Sequence, residues 1–295
     1  MSKLKGIFTV AVTPFNEDGS FNIEAAKNNI DYLIGKGIHG LCILGATGEY
    51  LSVTMDEHKK FVEIMLKHIN KRVPVIVGAT RERPDDVIEL ANHAKLNGAD
   101  SVMVLPPYYS HPGQEEIYSH YKYISDSVDI GLTVYNNPGS CGVDIEHETL
   151  KRIAKLKNAK VIKESTGDIK RLTAIAMDLG DEITPFCGCD NMCYESFVMG
   201  AQGFVCMLGN IAPGMCVDMF NAVVEEKDYI KGYEIYRKAL PVLNHLESFP
   251  KVVQLIKYLI EKQGRVGGYI RRPRLELTDE EKQFIDENID ISQLY

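Results

Sequence analysis

One lysine of the sequence stands where a protein could turn an amine into a nucleophile. Lys163 directly follows Val161 and Ile162, two β-branched residues that indicate a strand buried on both faces. Burial disfavours the charged ammonium, so we expect a lowered pKa for Lys163 and a neutral amine that attacks ketones. The alternative is a structural lysine whose charge is neutralised by Glu164 or by another carboxylate.

Two further stretches carry polar groups that suit the same chemistry. Tyr135 ends an apolar run, and a phenol beside an imine-forming lysine can transfer protons as a general acid or base. The alternative for Tyr135 is a core aromatic ring whose hydroxyl group finds a hydrogen-bond partner. Residues 45–48, Gly-Ala-Thr-Gly, offer backbone N–H groups and one hydroxyl to a small carboxylate, or they form a plain turn.

The elements that must position these residues alternate along the chain. Short apolar runs are followed by amphipathic helical patterns, which is typical of parallel strands covered by helices. The predicted strands are residues 7–12, 41–44, 75–77, 102–105, 132–135, 161–162, 183–187 and 204–208. The helical patterns between them are residues 24–34, 55–69, 85–96, 115–125, 146–156, 169–179 and 192–199. Eight strand–helix units predict an α/β fold, a closed (β/α)8 TIM barrel, with an open doubly wound sheet as the alternative.

The last part of the chain follows a different pattern. No strand is predicted after residue 228, and helical patterns cover residues 229–246, 250–261 and 278–287. We therefore expect a (β/α)8 catalytic domain over residues 1–225 and a C-terminal helical region over residues 226–295.

The composition of the chain indicates which classes of partner it can bind and in which compartment it is expected. The 295 residues carry 33 basic and 41 acidic side chains, a net charge of −8, which disfavours a nucleic-acid or membrane-surface partner. Residues 196–217 carry no charge, but four glycines and one proline interrupt them, so we expect helix, buried strand and helix rather than a membrane span. The seven cysteines are an odd number in mostly apolar runs, and the chain starts with no signal-peptide pattern. These features predict reduced thiols and a cytoplasmic protein.

Motifs at the carboxyl ends of the predicted strands, where a TIM barrel builds its active site, indicate a family. Lys163 is the only basic residue at such an end. The matching motifs are Gly45-x-Thr47-Gly48-Glu49, Pro107-Tyr108-Tyr109, Tyr135-Asn136-x-Pro138 and Lys163-Glu164-Ser165. Together they resemble the dihydrodipicolinate synthase / N-acetylneuraminate lyase family over about residues 5–225. The resemblance implies a TIM barrel with a C-terminal helical extension, a homotetramer built as a dimer of dimers, and a class I lyase without metal or organic cofactor.

The resemblance also implies a role for each matching residue. Lys163 would form the Schiff base with pyruvate or another 2-oxo acid, and Tyr135 would carry protons beside it. Thr47 and the backbone of Ala46 would bind the carboxylate of that acid. Tyr109 resembles the tyrosine that such enzymes contribute across the tight-dimer interface.

Other positions of the same pocket include two departures from the family pattern. Gly188 and Val205 match positions that line the pocket through backbone atoms. Ala46 replaces a hydroxyl-bearing residue that links two tyrosines in a proton relay. Ser140 stands where the synthases carry an arginine, and a serine cannot make the bidentate contact by which arginine binds a carboxylate.

These departures decide which function we place first. We expect a Schiff-base lyase that cleaves, condenses or dehydrates a sugar-acid or hydroxy-acid derivative, slightly ahead of a synthase that condenses pyruvate with aspartate semialdehyde in lysine biosynthesis. A non-catalytic protein that binds 2-oxo acids is a further alternative.

Other sequence features are weaker indications of function. The spacing of Cys187, Cys189 and Cys193 matches no zinc pattern, so we expect no metal. No phosphate cradle for pyridoxal phosphate follows the seventh and eighth strands. A basic cluster at residues 271–274 is expected to contact acidic helices of the chain or of the oligomer.

Overall fold

The structure, a computed structural model, describes residues 4–294. Within this range eight parallel strands form a barrel in chain order, and the first strand pairs with both the second and the eighth. The strands are β1 Gly6–Val10, β2 Gly40–Ile43, β3 Val75–Gly78, β4 Ser101–Val104, β5 Gly131–Asn136, β6 Ala159–Glu164, β7 Thr184–Cys187 and β8 Gly203–Cys206. The predicted TIM barrel is confirmed, and the pairing of β1 with β8 excludes the open doubly wound sheet.

Aromatic rings fill the barrel interior beside two glycines. Phe8 of β1 and Phe186 of β7 are fully buried, with ring centroids 5.5 Å apart. A Cβ atom at Gly40 would lie 2.1 Å from the Phe8 ring, and one at Gly203 would lie 2.5 Å from the Phe186 ring. Large residues therefore face small ones on neighbouring strands, which lets the two rings fit inside the barrel.

Helices cover the outside of the barrel. Those of the barrel are α1 Ile23–Gly35, α2 Met55–Ile69, α3 Pro84–Leu96, α4 Gln114–Ser127, α5 Pro138–Cys141, α6 His147–Ala154, α7 Ile169–Leu179, α8 Cys193–Val198 and α9 Pro213–Phe220. The C-terminal helices are α10 Tyr229–Ser248, α11 Val252–Lys262 and α12 Asp279–Asn288. The sequence did not predict the single turn α5 or the π-helical turn Asn221–Glu225 that extends α9.

The segment that joins α11 to α12 packs against the carboxyl end of the barrel. Lys257 of α11 forms a buried ion pair with Glu49, which follows β2, with 2.7 Å between Nζ and Oε1. Arg271 donates two hydrogen bonds, of 3.0 and 2.7 Å, to the carboxylate of Glu57 at the start of α2. Because these acidic partners follow β2, the C-terminal region lies at the barrel end where Lys163 also lies.

The uncharged stretch over residues 196–217 folds as predicted. It comprises the end of α8, strand β8 and the start of α9. Between residues 4 and 294, no helix has both the length and the apolar character needed to cross a bilayer. All seven cysteines are buried free thiols.

Candidate active site

Lys163 lies inside the barrel, near the carboxyl end of β6. In the sheet register it is the partner of Tyr135 on β5 and of Phe186 on β7. Its side chain is buried, with a residue exposure of 7%. The Nζ atom lies 4.3 Å from the centroid of the Tyr135 ring. The two side chains that the sequence placed at neighbouring strand ends are therefore in contact.

Glu164 does not neutralise Lys163, because successive residues of a strand point to opposite faces of the sheet. Its carboxylate is fully buried and accepts hydrogen bonds from Arg171 at 3.0 Å, Asn136 at 3.2 Å and the Thr166 N–H at 2.8 Å. In the part of the chain that the structure describes, no carboxylate oxygen lies within 4.0 Å of Lys163 Nζ. The alternative of a lysine paired with Glu164 is thereby excluded.

The protonation of Lys163 differs from the sequence prediction. Burial lowers the pKa of Lys163, but Tyr135, Cys42 and Asp190 raise it, and its net pKa lies above the ordinary value for lysine. The prediction of a lowered pKa is therefore wrong. The physical reason is that the groups around the ammonium, Tyr135 first among them, stabilise the cation by more than burial destabilises it. Lys163 must therefore lose a proton before its amine can attack a carbonyl.

Tyr135 is held in place by a residue that the sequence analysis did not identify. The ring is buried, with 6% exposed, and its hydroxyl accepts a 2.8 Å hydrogen bond from the Asn137 amide. Asn137 also caps the short helix α5, because its side-chain oxygen accepts the Ser140 N–H. Since the Tyr135 oxygen accepts from Asn137, its own proton remains available to a substrate.

The turn after β2 presents two backbone N–H groups. Thr47 is buried, while Ala46 is exposed at the tip of the turn. The turn is fixed by a 3.1 Å hydrogen bond from the Glu49 N–H to the Ala46 carbonyl, and by a left-handed backbone at Glu49. Among the described residues the N–H groups of Ala46 and Thr47 have no acceptor. Adjacent unpaired amides of this kind suit a small carboxylate.

Gly188 makes room for the Lys163 side chain. A Cβ atom at this position would lie 1.9 Å from Ser165 Oγ and 2.9 Å from Lys163 Cε. The position therefore requires glycine because a Cβ atom would clash with its neighbours. Backbone strain is not the reason, since the φ angle of Gly188 is not in the left-handed region. Val205 is buried in β8 beside Phe8, and its role at the pocket remains a prediction.

Asp190 holds the loop that carries Gly188, and the sequence analysis did not give it this role. Its buried carboxylate accepts the N–H groups of Met207 at 3.0 Å and Leu208 at 2.7 Å. Burial and the neighbouring Glu247 raise the pKa of Asp190 to about 7. The hydrogen bonds join the loop after β7 to the loop after β8, next to Lys163.

A cavity of about 220 Å³ opens above these residues. Its walls bring together three predicted site residues, Ala46, Tyr135 and Ser140. The other lining residues are Tyr50, Leu51, Leu105, Tyr108, Asn137, Cys141 and Arg274. Larger cavities, of about 450 and 660 Å³, lie against the C-terminal helices, but none of the predicted site residues lines them. Lys163 does not line the smaller cavity itself, but it lies against the ring of Tyr135, which does. The smaller cavity is therefore the candidate active site.

Comparison with known proteins identifies the family. The model of the dihydrodipicolinate synthetase family matches residues 3–292. The chain belongs to this family. It is 37% identical to a 4-hydroxy-tetrahydrodipicolinate synthase of Bartonella bacilliformis over 284 residues, which cover 96% of both chains. The corresponding enzyme of Afipia carboxidovorans is 34% identical, over 98% of this chain and 96% of the relative.

Solved structures of the dihydrodipicolinate synthetase family agree with this assignment. The dihydrodipicolinate synthase of Thermotoga maritima matches with a TM-score of 0.92 and 31% identity over the whole of both chains. The chloride-inhibited synthase of Acinetobacter baumannii, solved in complex with pyruvate, matches with a TM-score of 0.93 and 30% identity over 99% and 100% of the two chains. Enzymes of this family are lyases that act through a lysine Schiff base, and this chain is an enzyme of that class.

Tyr109 lies outside the cavity of its own chain. Its side chain is 86% exposed, and its backbone N–H donates a 2.9 Å hydrogen bond to Glu82. The structure therefore does not place Tyr109 with Lys163 and Tyr135 in one chain. That Tyr109 reaches across an interface into the active site of a second copy of this chain remains a prediction.

The cysteine thiols and the basic cluster of residues 271–274 lie in different surroundings. Burial raises the pKa of Cys189 to about 12, so the thiol stays protonated at neutral pH. Across residues 4–294, no group of three His, Cys, Asp or Glu side chains is placed to hold a metal ion. Arg271 contacts Glu57 in the acidic first turn of α2, so its acidic partner lies within the chain, one of the two predicted places. Arg274 instead lines the candidate cavity, which the sequence analysis did not predict.

Proposed function

We propose that this protein condenses pyruvate with a small aldehyde that bears a carboxylate, the reaction class of 4-hydroxy-tetrahydrodipicolinate synthase. The observation that carries the proposal is a buried lysine, Lys163, with no carboxylate partner among the described residues and with Tyr135 against its Nζ. The names of the relatives favour this reaction over the sugar-acid lyase that the sequence analysis placed first.

The first half of the reaction forms the imine. Lys163 loses a proton to water, and the free amine attacks the ketone carbon of pyruvate while Tyr135 relays a proton from the nitrogen to the ketone oxygen. Tyr135 then donates its own proton to the hydroxyl group that leaves as water, which gives the protonated Schiff base and a Tyr135 phenolate. The N–H groups of Ala46 and Thr47 bind the pyruvate carboxylate. The protonated imine withdraws electrons from the methyl carbon next to it, which makes that carbon acidic.

The second half forms the carbon–carbon bond. A base, which we propose to be Tyr135, removes a proton from the methyl carbon, and the resulting enamine attacks the aldehyde carbon. The aldehyde oxygen takes up a proton and becomes a hydroxyl group. The product leaves when water, or an amine of the aldehyde substrate, attacks the imine carbon and releases Lys163.

A sugar-acid or hydroxy-acid lyase is the second candidate function. It is favoured by Ala46, which brings no hydroxyl to a proton relay, and by Ser140, which replaces an arginine. Both reactions share the imine, so the second substrate distinguishes them. A protein that binds 2-oxo acids without turnover would form the imine and consume no aldehyde.

The test of the imine is intact-mass spectrometry after borohydride reduction in the presence of pyruvate. Wild type should gain the mass of one reduced pyruvate per chain, and Lys163→Ala should gain none. Lys160→Ala is the matched control, because Lys160 is an exposed lysine of the same strand and should leave the adduct intact. Absence of the adduct from the wild type would refute the proposal.

We also propose that the protein forms a homotetramer and that it works in a reducing compartment, such as the cytoplasm. Support comes from Tyr109 and Leu51, which are 86% and 60% exposed beside the cavity, and from seven free thiols. Light scattering coupled to size-exclusion chromatography should give four chains per particle. Tyr109→Phe should slow the overall reaction without dissociating the tetramer.

A further inference from the structure

The C-terminal segment brings one cation to the wall of the active-site cavity. Arg274 is half-buried and lines the same cavity as Tyr135 and Ser140. Among the described residues that line this cavity, Arg274 is the only charged one. A cation in the wall of a small cavity whose other walls are uncharged attracts an anionic ligand, because the local dielectric constant is lower than in water.

The guanidinium of Arg274 has little hydrogen bonding within its own chain. Its one hydrogen bond is a long contact of 3.5 Å from Nη1 to Ser52 Oγ. No carboxylate oxygen of the described chain lies within 4.0 Å of its guanidinium. A partly buried guanidinium without an anionic partner is unfavourable, so a bound carboxylate would stabilise it.

The neighbouring Arg271, unlike Arg274, has every guanidinium nitrogen hydrogen-bonded within the chain. It donates to both oxygens of the Glu57 carboxylate and to the carbonyl groups of Gly19 and Ser52. These contacts anchor the segment to the start of α2. Arg271 therefore has a structural role, and by fixing the segment it holds Arg274 at the cavity.

We propose that Arg274 binds the carboxylate of the second substrate, the function that Ser140 cannot supply. This inference rests on the proposed condensation and specifies its second substrate as a short aldehyde with a carboxylate at the far end. The guanidinium presents a planar pair of N–H donors that matches a carboxylate. The cavity of about 220 Å³ is smaller than typical drug-sized pockets, which restricts that aldehyde to a few carbon atoms.

The test compares two aldehydes in three variants. Pyruvate consumption is measured with succinic semialdehyde, which carries a carboxylate, and with butanal, which has the same number of carbons and no charge. Arg274→Ala should lower kcat/KM for succinic semialdehyde by about 10- to 100-fold, mostly through KM, as expected for loss of a charged hydrogen bond. The value for butanal and the borohydride-trapped pyruvate adduct should not change.

Two controls separate substrate binding from a structural effect. Arg272→Ala removes an exposed charge from the same segment and should preserve the preference for succinic semialdehyde. Adding Ser140→Arg to Arg274→Ala places a guanidinium at another position in the lining of the same cavity and should restore part of that preference.

The outcomes distinguish this inference from the proposed function. The inference is overturned if the wild type forms the pyruvate adduct but shows no preference for succinic semialdehyde, or if Arg274→Ala keeps the full preference. Absence of the pyruvate adduct from the wild type rejects the proposed condensation itself, and the inference with it.

Discussion

Replacing Lys257 by methionine should destabilise the protein far more than removing another charge from the same helix. Lys257 and Glu49 are 3% and 0% exposed, and their charged groups lie 2.7 Å apart. Lys257 also donates a 2.7 Å hydrogen bond to the Tyr269 carbonyl. Methionine keeps the apolar stem of the side chain but leaves the Glu49 carboxylate buried without its cation.

The expected magnitude follows from the partners that remain. Removing one member of a buried ion pair typically costs about 3–5 kcal/mol. Glu49 keeps one hydrogen bond, from the Arg271 N–H at 3.2 Å, so we expect the lower end of that range, about 3 kcal/mol. For a protein of this size this corresponds to a fall in Tm of about 6–12 °C.

The measurement is urea unfolding of the wild type, Lys257→Met, Glu49→Gln and the double variant. The double variant should recover most of the loss, because no charge is then left buried alone. Lys262→Met is the matched control, since Lys262 lies on the same helix as Lys257 and its ion pair with Asp286 of α12 is exposed to water, which screens it. The reasoning is refuted if Lys257→Met and Lys262→Met shift the unfolding midpoint equally.

Two further predictions concern the site and the pH dependence of folding. Gly188→Ala should slow pyruvate-adduct formation by about 100-fold or more, because the new Cβ displaces Lys163 Cε, whereas Gly214→Ala, with nothing within 4 Å of the added Cβ, should leave adduct formation unchanged. Equal rates in these two variants would contradict the steric argument. Burial lowers the pKa of His58 and of His120 to about 4, below the ordinary value of about 6.5. Because the unfolded chain binds these protons more tightly, the contribution of each imidazole to stability is complete above about pH 6.5. It is lost as the pH falls towards 4, by up to about 3 kcal/mol for each imidazole. Urea midpoints measured from pH 7 to pH 4 should therefore fall less steeply in a His58→Gln, His120→Gln variant than in the wild type, and parallel curves would count against the assignment.

The barrel could be predicted because its strands are buried on both faces, which requires continuous apolar runs. Strand β6 shows the limit of that signal. The prediction covered residues 161–162, whereas the strand extends over Ala159–Glu164 and includes both Lys163 and Glu164. Polar residues inside a strand are stabilised by partners from other elements, here Tyr135 and Arg171, and hydrophobicity alone does not reveal them.

The parts of the site that sequence reasoning missed depend on contacts without a periodic signal. Asn137 could have been suspected from its place beside a proline, which is typical of a helix cap, but its bond to Tyr135 depends on how the turn folds. Arg274 lies more than 100 residues after Lys163 in the sequence, and it reaches the cavity through the packing of the segment after α11. The pKa of Lys163 depends likewise on the position of a ring from a neighbouring strand.

The pairing of β1 with β8 also affects synthesis of the chain. Gly6 pairs with Gly203, so a ribosome must make almost 200 further residues, over about 10–40 s, before the first strand meets its second partner. Until then the nascent sheet exposes two unpaired apolar edges, which are sites for aggregation with other chains. Lys163 is synthesised before the barrel closes, and the C-terminal segment with Arg274 comes last. Translation arrested at residue 200 would therefore leave a chain that contains Lys163 and no barrel to desolvate it.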